Sequence, residues 1–294
     1  MSKVLSTADW HIRSTVPSCL DMTQQEWMDL QKLALTQIVD MAIKHDVSGV
    51  YCGGDLFHSE PTTSFECIQM VQWVADQLSN NMIEFRIICG NHDLPMHSSE
   101  NIYRAAIGAI INSKYVQMMN DETSLIHGCN FDEDNYDGYE RIFKHVLCMP
   151  ENDKPDIVEC ETPQTLLKKF PNAKYIYLGD YHKRFHYQSA DGRHVINSGC
   201  LTKQAADFED YENGVWITDF DTNEVIWESI CCDYRFNHNG VVKKNLDEKI
   251  ENFANSIKKE SVTLDFISSV KTELQNHEKP VQEKVESWIK EIGQ

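Results

Sequence analysis

The chain of 294 residues contains no run of 18 or more apolar residues, which excludes an ordinary membrane-spanning helix. No apolar segment follows Lys3 in the opening MSKVLSTADWH, so no export signal is expected. Its ten cysteines include no CxxC spacing, only the adjacent Cys231 and Cys232. In a chain without an export signal they read as reduced, buried small hydrophobes, and a cytoplasmic location is expected. Positive charge is scarce as well: 27 Lys and Arg face 46 Asp and Glu, a formal net charge of −19. A protein that grips nucleic acid by its own field usually carries the opposite sign. Either the substrate is not a polyanion, or metal ions and a partner subunit supply the positive field. Internal repeats are absent too. What remains, 41% hydrophobic and 25% charged residues, is ordinary globular composition for one substantial domain and a small appendage.

Short apolar runs alternate with amphipathic stretches over the first two thirds of the chain. Strands are predicted at 3–7, 49–52, 84–89, 115–118, 123–127 and 145–149. Helices are predicted at 24–45, with Trp27, Leu30, Ala34, Ile38, Met41 and Ala42 on one stripe, and at about 64–78 and 98–111. A helical patch is expected near 139–143, and Lys168-Lys169 reads as the end of a short helix, where positive charge suits the dipole. A β-rich stretch follows at 174–178, 194–197, 214–220 and 224–230, with turn composition at Asp191-Gly192 and at 221–223. Alternation first and hairpins later predict an α/β fold of four layers, two mixed β-sheets flanked by helices. This domain is expected over residues 1–236. Charged helical sequence over 237–294 predicts a small C-terminal helical appendage.

Four short motifs stand just past predicted strands, where open α/β sheets expose loops for ligands. They are TADWH with Asp9 and His11, GGDLFH with Asp55, CGNHD with Asn91 and His92, and LGDYHK with Asp180 and His182. Carboxylates, an amide oxygen and imidazoles suit manganese, iron or zinc. One such motif alone is most often a turn or a helix cap. Four in this order, each closing an apolar run, are hard to produce by accident.

In these residues the chain resembles the calcineurin-like metallophosphoesterases, whose pattern is Asp-x-His, Gly-Asp, Gly-Asn-His-Asp, a separate His, then Gly-His-x-His. Within that family it is most similar to the SbcD-type nuclease subunits of DNA break repair. That narrower likeness rests on GGDLFHSEPTTS, with His58, and on INSGCLTKQAADFEDYENGVWITDFD. The resemblance spans about residues 3 to 230. It implies a two-metal site served by manganese, or by magnesium or another divalent ion. It assigns Asp9, His11 and His182 to the first metal, Asp55 to both, and Asn91 and Asp180 to the second. His92 would face the scissile phosphate and protonate the leaving oxygen, and His58 would help place the DNA strand end. The implied partners are DNA, an SbcC-type ATPase and a second copy of the chain, the last through the helices near 64–78 and 98–111. A compact length and divergent motifs fit a phage origin, which would make the location the host cytoplasm.

Two departures stand out. Gly179-Asp180-Tyr181-His182 has a carboxylate where the family has an imidazole, and the separate His falls on Pro150 in HVLCMPEN. His145 lies at the wrong end of the predicted 145–149 strand, leaving Glu151, Asn152 or Asp153 as substitutes. The second metal site is therefore expected to be weak.

The expected activity is a metal-dependent DNA exo/endonuclease within an SbcCD-like complex. The rivals are a stand-alone phosphodiesterase or phosphatase on small esters, and a degenerate binding protein without catalysis. His97, His127 and His186 read as structural or solvated, Trp73, Trp216 and Trp227 as core, and Lys183-Arg184 as surface or phosphate contact. In the tail, Val281, Val285, Trp288 and Ile292 fall on one helical stripe, suited either to packing on the body or to a partner.

Overall fold

The computed structural model describes residues 3–58, 63–119, 126–131, 138–154, 159–205 and 208–237. The chain divides into two compact units, Met1–Phe236 and Asn237–Gln294. The predicted tail helices and the acidic run 132–137 lie outside the described residues. No helix among the described residues is long and apolar enough to cross a membrane.

The first sheet runs β11-β10-β1-β2-β3-β4, with β1 (Lys3–Thr7), β2 (Gly49–Cys52), β3 (Glu84–Ile87) and β4 (Val116–Met118) parallel. Antiparallel β10 (Gly214–Asp219) and β11 (Glu224–Ser229) extend it beyond β1. The second sheet runs β5-β6-β7-β9-β8. In it, β5 (Ile126–Cys129), β6 (Arg141–His145), β7 (Tyr175–Gly179) and β9 (His194–Asn197) are parallel, and β8 (Phe185–Gln188) pairs antiparallel with β9. Both sheets are mixed.

Three apolar layers hold the sandwich. Helix α1 (Gln24–Lys44) starts at a capping box, in which Thr23 and Glu26 satisfy each other's backbone N–H groups. It buries Trp27, Leu30, Ala34, Ile38 and Ala42, most of the predicted stripe, while α2 (Phe65–Asn80) buries Val71, Val74 and Leu78. Together with α3 (Ala106–Ile111) they pack on Leu5, Val50 and Phe85 of the first sheet. Between the sheets, Tyr51 meets Phe143 edge-on at 5.6 Å and Phe143 stacks on Tyr177 at 4.4 Å. The outer face of the second sheet, with Ile142, Ile176 and Val195, is covered by Leu166 and Leu167 of α4 (Pro163–Lys169). The order is helices, sheet, sheet, helix.

Two sequence expectations are corrected. The helix expected over 98–111 is a 3-10 turn (Ser99–Arg104) followed by α3, separated by extended backbone at Ala105. Glycine permits this fold-back, since a Cβ on Gly108 would lie 2.8 Å from the Ile102 carbonyl. More consequentially, the stretch read as a helical patch plus a 145–149 strand is the single strand Arg141–His145. Its register on β7 sets Arg141 against Tyr175 and His145 against Gly179. His145 therefore closes the strand at its carboxyl end, and Pro150 lies well past it.

Candidate metal centre

The parallel strands of both sheets end at one place. Asp9 and His11 follow β1, Asp55 follows β2, Asn91 and His92 follow β3, His145 ends β6, and Asp180 and His182 follow β7. The loops are cross-tied by their backbones: Asp9 N–H donates to the Gly54 carbonyl, His11 N–H to that of Asp55, and Ile12 N–H to that of Leu56, each at 3.0 Å. Asp9, His11, Asp55 and Asp180 all have positive φ, between 46° and 90°. Left-handed backbone is costly for residues with a Cβ, and its concentration in four donors marks a site held in place by its surroundings.

Among the described residues three donor groups result: His11, His58 and His92 form one, and two share Asp9. Of these two, one is Asp9, His11 and His182 and the other is Asp9, Asp55 and His145, with ligand atoms within 4.8 Å of one another in each group. His11 Nε2 faces His182 Nε2 at 2.9 Å. Asp55 Oδ2 lies 3.6 Å from His11 Nε2 and 3.5 Å from His145 Nε2, between the two groups. Asn91 Oδ1 is 3.0 Å from His145 Nε2, and Asp180 Oδ1 is 3.8 Å from it. All six metal-ligand candidates thus converge, and His145 joins them. Glu151 and Asp153 are exposed side chains in a turn after β6.

The electrostatics fit cations. Asp9 is fully buried, and burial, with Asp55 and Asp180 nearby, pushes its carboxyl up to about 8. Burial also presses on His145, but the carboxylates of Asp55, Asp9 and Asp180 outweigh it and push its imidazole up to about 10. Asp55 is buried too, yet His145, His11 and His92 hold its carboxyl below the usual range. Burial holds His11 well below its ordinary value. Among the described residues, the ion pairs of Asp55 and Asp180 are with histidines alone. His145 Nδ1 donates to the Gly53 carbonyl at 2.8 Å, which points Nε2 toward Asn91, Asp55 and Asp180. Two buried carboxylates, a third half-buried one, an amide oxygen and imidazoles with inward nitrogens make a donor set suited to manganese, iron or zinc.

His92 and His58 stand beside this cluster. Their rings stack at 5.3 Å, and each meets His11 edge-on, at 4.8 and 5.5 Å. The backbone N–H of His92 donates to Asp55 Oδ1 at 2.9 Å, which ties its position to the carboxylate between the two groups. Burial, with Arg13 and His92 adding, draws His58 down to about 4.

Sequence reasoning passed over two residues. His145 was misplaced by strand phasing; aligning RIFKH with YIYLG by their run ends would have found it. The second is Asp93, which closes Gly-Asn-His-Asp. Its buried carboxylate accepts N–H groups from Leu56, Phe57 and Gly90 at 3.0–3.2 Å, clamping the loop after β2 to the loop after β3. Glycine matters at the same junction, because a Cβ on Gly90 would sit 2.0 Å from Asp55 Oδ1. Arg184, read as surface or phosphate contact, pairs with Glu212 at 2.8 Å and lies over the Trp227 ring at 4.4 Å.

No protein-family model matches the chain, and neither does any curated protein. Among solved structures it is similar to a novel archaeal phosphodiesterase, at 13% identity and a TM-score of 0.38, covering 77% of this chain and 99% of that one. It is similar to a dimetal phosphatase from Danio rerio, at 10% identity and a TM-score of 0.47, covering 78% and 95%. It is also similar to Chaetomium thermophilum Vps29, at 10% identity and a TM-score of 0.36, covering 82% and 100%. At such identities and scores, function has to be argued from the site's own residues.

Proposed function

We propose that the chain is a divalent-metal-dependent phosphodiesterase of the calcineurin-like type, acting on the backbone of DNA. The observation that carries this reading is the pair of donor groups sharing Asp9, with Asp55 between them and His92 alongside. Asp9, Asp55, Asn91, His145, Asp180, His11 and His182 would hold divalent cations there, and such cations would supply Lewis-acid polarisation of the phosphate and a more acidic attacking water. Water adds to phosphorus, the bond to the leaving oxygen breaks, and His92 gives that oxygen its proton, so that a diester and water yield a monoester and an alcohol. His58, stacked on His92, keeps that ring aimed at the leaving oxygen.

The weak second site, and with it the degenerate-protein reading, rested on Pro150 and Asp180. His145 supplies the imidazole that Pro150 lacks, which supports an active enzyme. The net charge of −19 favours the second reading, a phosphodiesterase for small esters, unless a partner lends positive charge. An SbcC-type ATPase and a second copy of the chain are the partners we propose for the DNA-acting form. Purified protein with manganese is expected to hydrolyse bis(4-nitrophenyl) phosphate and linear DNA, and Asp55→Asn to abolish both. Turnover of the small diester with no DNA cleavage at any partner concentration selects the second reading; hydrolysis of neither overturns both.

A further inference from the structure

A cavity of 510 Å³ opens directly beside the metal centre, with His58 and His92 in its wall. The floor is apolar: Phe57, Ile68, Leu94 and Ile107. Among the described residues, the permanent charge on its polar side is the Arg104 guanidinium. Besides the two histidines it holds His97 and Arg104, whereas the one carboxylate among its described residues, Asp93, is buried and saturated by backbone N–H groups. In a chain with 46 acidic residues, a cavity whose described residues offer an arginine and no available carboxylate favours negative charge. Arg104 is exposed and has no hydrogen bond or ion pair among the described residues, so its guanidinium is available to an oxyanion.

The wall is also built for a flat ring. Met96 and His97 are consecutive left-handed residues, with φ of 57° and 53°, a strained turn that leaves Met96 exposed at the cavity. The His97 ring lies 6.0 Å from Phe131, and Phe131 lies 6.2 Å from His145. A row of rings therefore leads from the cavity to the metal donors. Bases of any sequence can stack on such rings.

The geometry points to this cavity as the seat of the leaving nucleoside: its base on the apolar floor, its hydroxyl toward His92, and its far phosphate on Arg104. This deepens the proposed function and rests on it, since it names a nucleotide strand rather than a small ester as the substrate. The volume suits the guest, because sites for ligands of this size span about 300–1,000 Å³.

Calorimetry on the full chain tests it with thymidine 5′-monophosphate and thymidine 3′-monophosphate, which mimic the two possible leaving ends. The base-free control is 2-deoxyribose 5-phosphate. At least one nucleotide is expected to bind tenfold or more tightly than the control. Ala106→Trp, which fills the cavity from the first turn of α3, should erase that preference and leave control binding unchanged. Arg104→Gln, at an exposed position that cannot endanger the fold, should weaken the preferred nucleotide about tenfold. Equal binding of nucleotide and control by the unmodified chain overturns the inference, as does full nucleotide affinity in Arg104→Gln. Hydrolysis of bis(4-nitrophenyl) phosphate is measured in parallel. Nucleotide preference without hydrolysis would sink the diesterase reading and keep the cavity's ligand; hydrolysis without preference would do the reverse.

Discussion

The Nε2 atoms of His11 and His182 face each other across 2.9 Å, one from the loop after β1 and one from the loop after β7. Two such nitrogens can share one proton or one cation. Burial disfavours the protonated form of His11, so a cation is the better guest. Manganese is accordingly expected to raise the melting temperature. Stabilisation amounts to about 2.7 kcal/mol at a hundredfold excess over the dissociation constant. Differential scanning fluorimetry with and without a chelator measures it, and His182→Ala should shrink the effect. A melting temperature indifferent to manganese would count against any metal at this site.

His145→Ala should behave as a ligand loss rather than a packing change. The bound metal, counted by mass spectrometry, is expected to fall from two ions per chain to one. Diester hydrolysis should fall at least about a hundredfold, the upper end for a supporting residue of a metal site. Unchanged stoichiometry would return the second site to other residues.

Asp93→Asn tests the clamp between the loops. An amide offers one acceptor oxygen where the carboxylate uses two, and turns an NH2 group toward a backbone N–H. Leaving such buried donors unmatched costs about 1–3 kcal/mol. Urea unfolding should show that loss, with catalysis lowered through displaced Asn91 and His92. Wild-type stability together with wild-type activity would remove Asp93 from the account.

Away from the metals, His186 Nε2 and His194 Nδ1 meet at 2.8 Å. Burial, then His186 and Lys174, draws His194 down to about 4, and burial lowers His186 as well. Between an unfolded value near 6.5 and a folded one near 4, the unfolded chain binds protons that the folded chain refuses. Stability contributed by this pair is therefore present above about pH 6.5 and lost as the pH falls toward 4, by about 2 kcal/mol after allowance for partial solvent screening. His194→Gln should be less stable than the unmodified chain at pH 7 by more than at pH 4.5. A gap constant across that range would refute the assignment.

Much of the site was legible in sequence because its donors sit one to four residues past apolar runs that end cleanly at Thr7, Cys52, Ile87 and Gly179. The layers followed from the same alternation. The strand ending at His145 was harder to read because RIFKH carries three basic side chains, and Lys144 is 5% exposed, a burial that composition does not announce. The ridge of Met96 and His97 was equally silent, since left-handed backbone at a methionine has no sequence signature. Pro150 read as a departure from a pattern, yet the imidazole it lacks stands five residues earlier at His145, while Asp180 keeps a carboxylate where the pattern has an imidazole.

Because Asp9 and Asp55 hang from the first sheet while His145, Asp180 and His182 hang from the second, a captured ion rivets the two halves of the sandwich together. Its hold must then report on how well those halves are docked. Trimming the Phe143–Tyr177 stack, deep between the sheets, should loosen the grip on the ion without touching any atom that binds it.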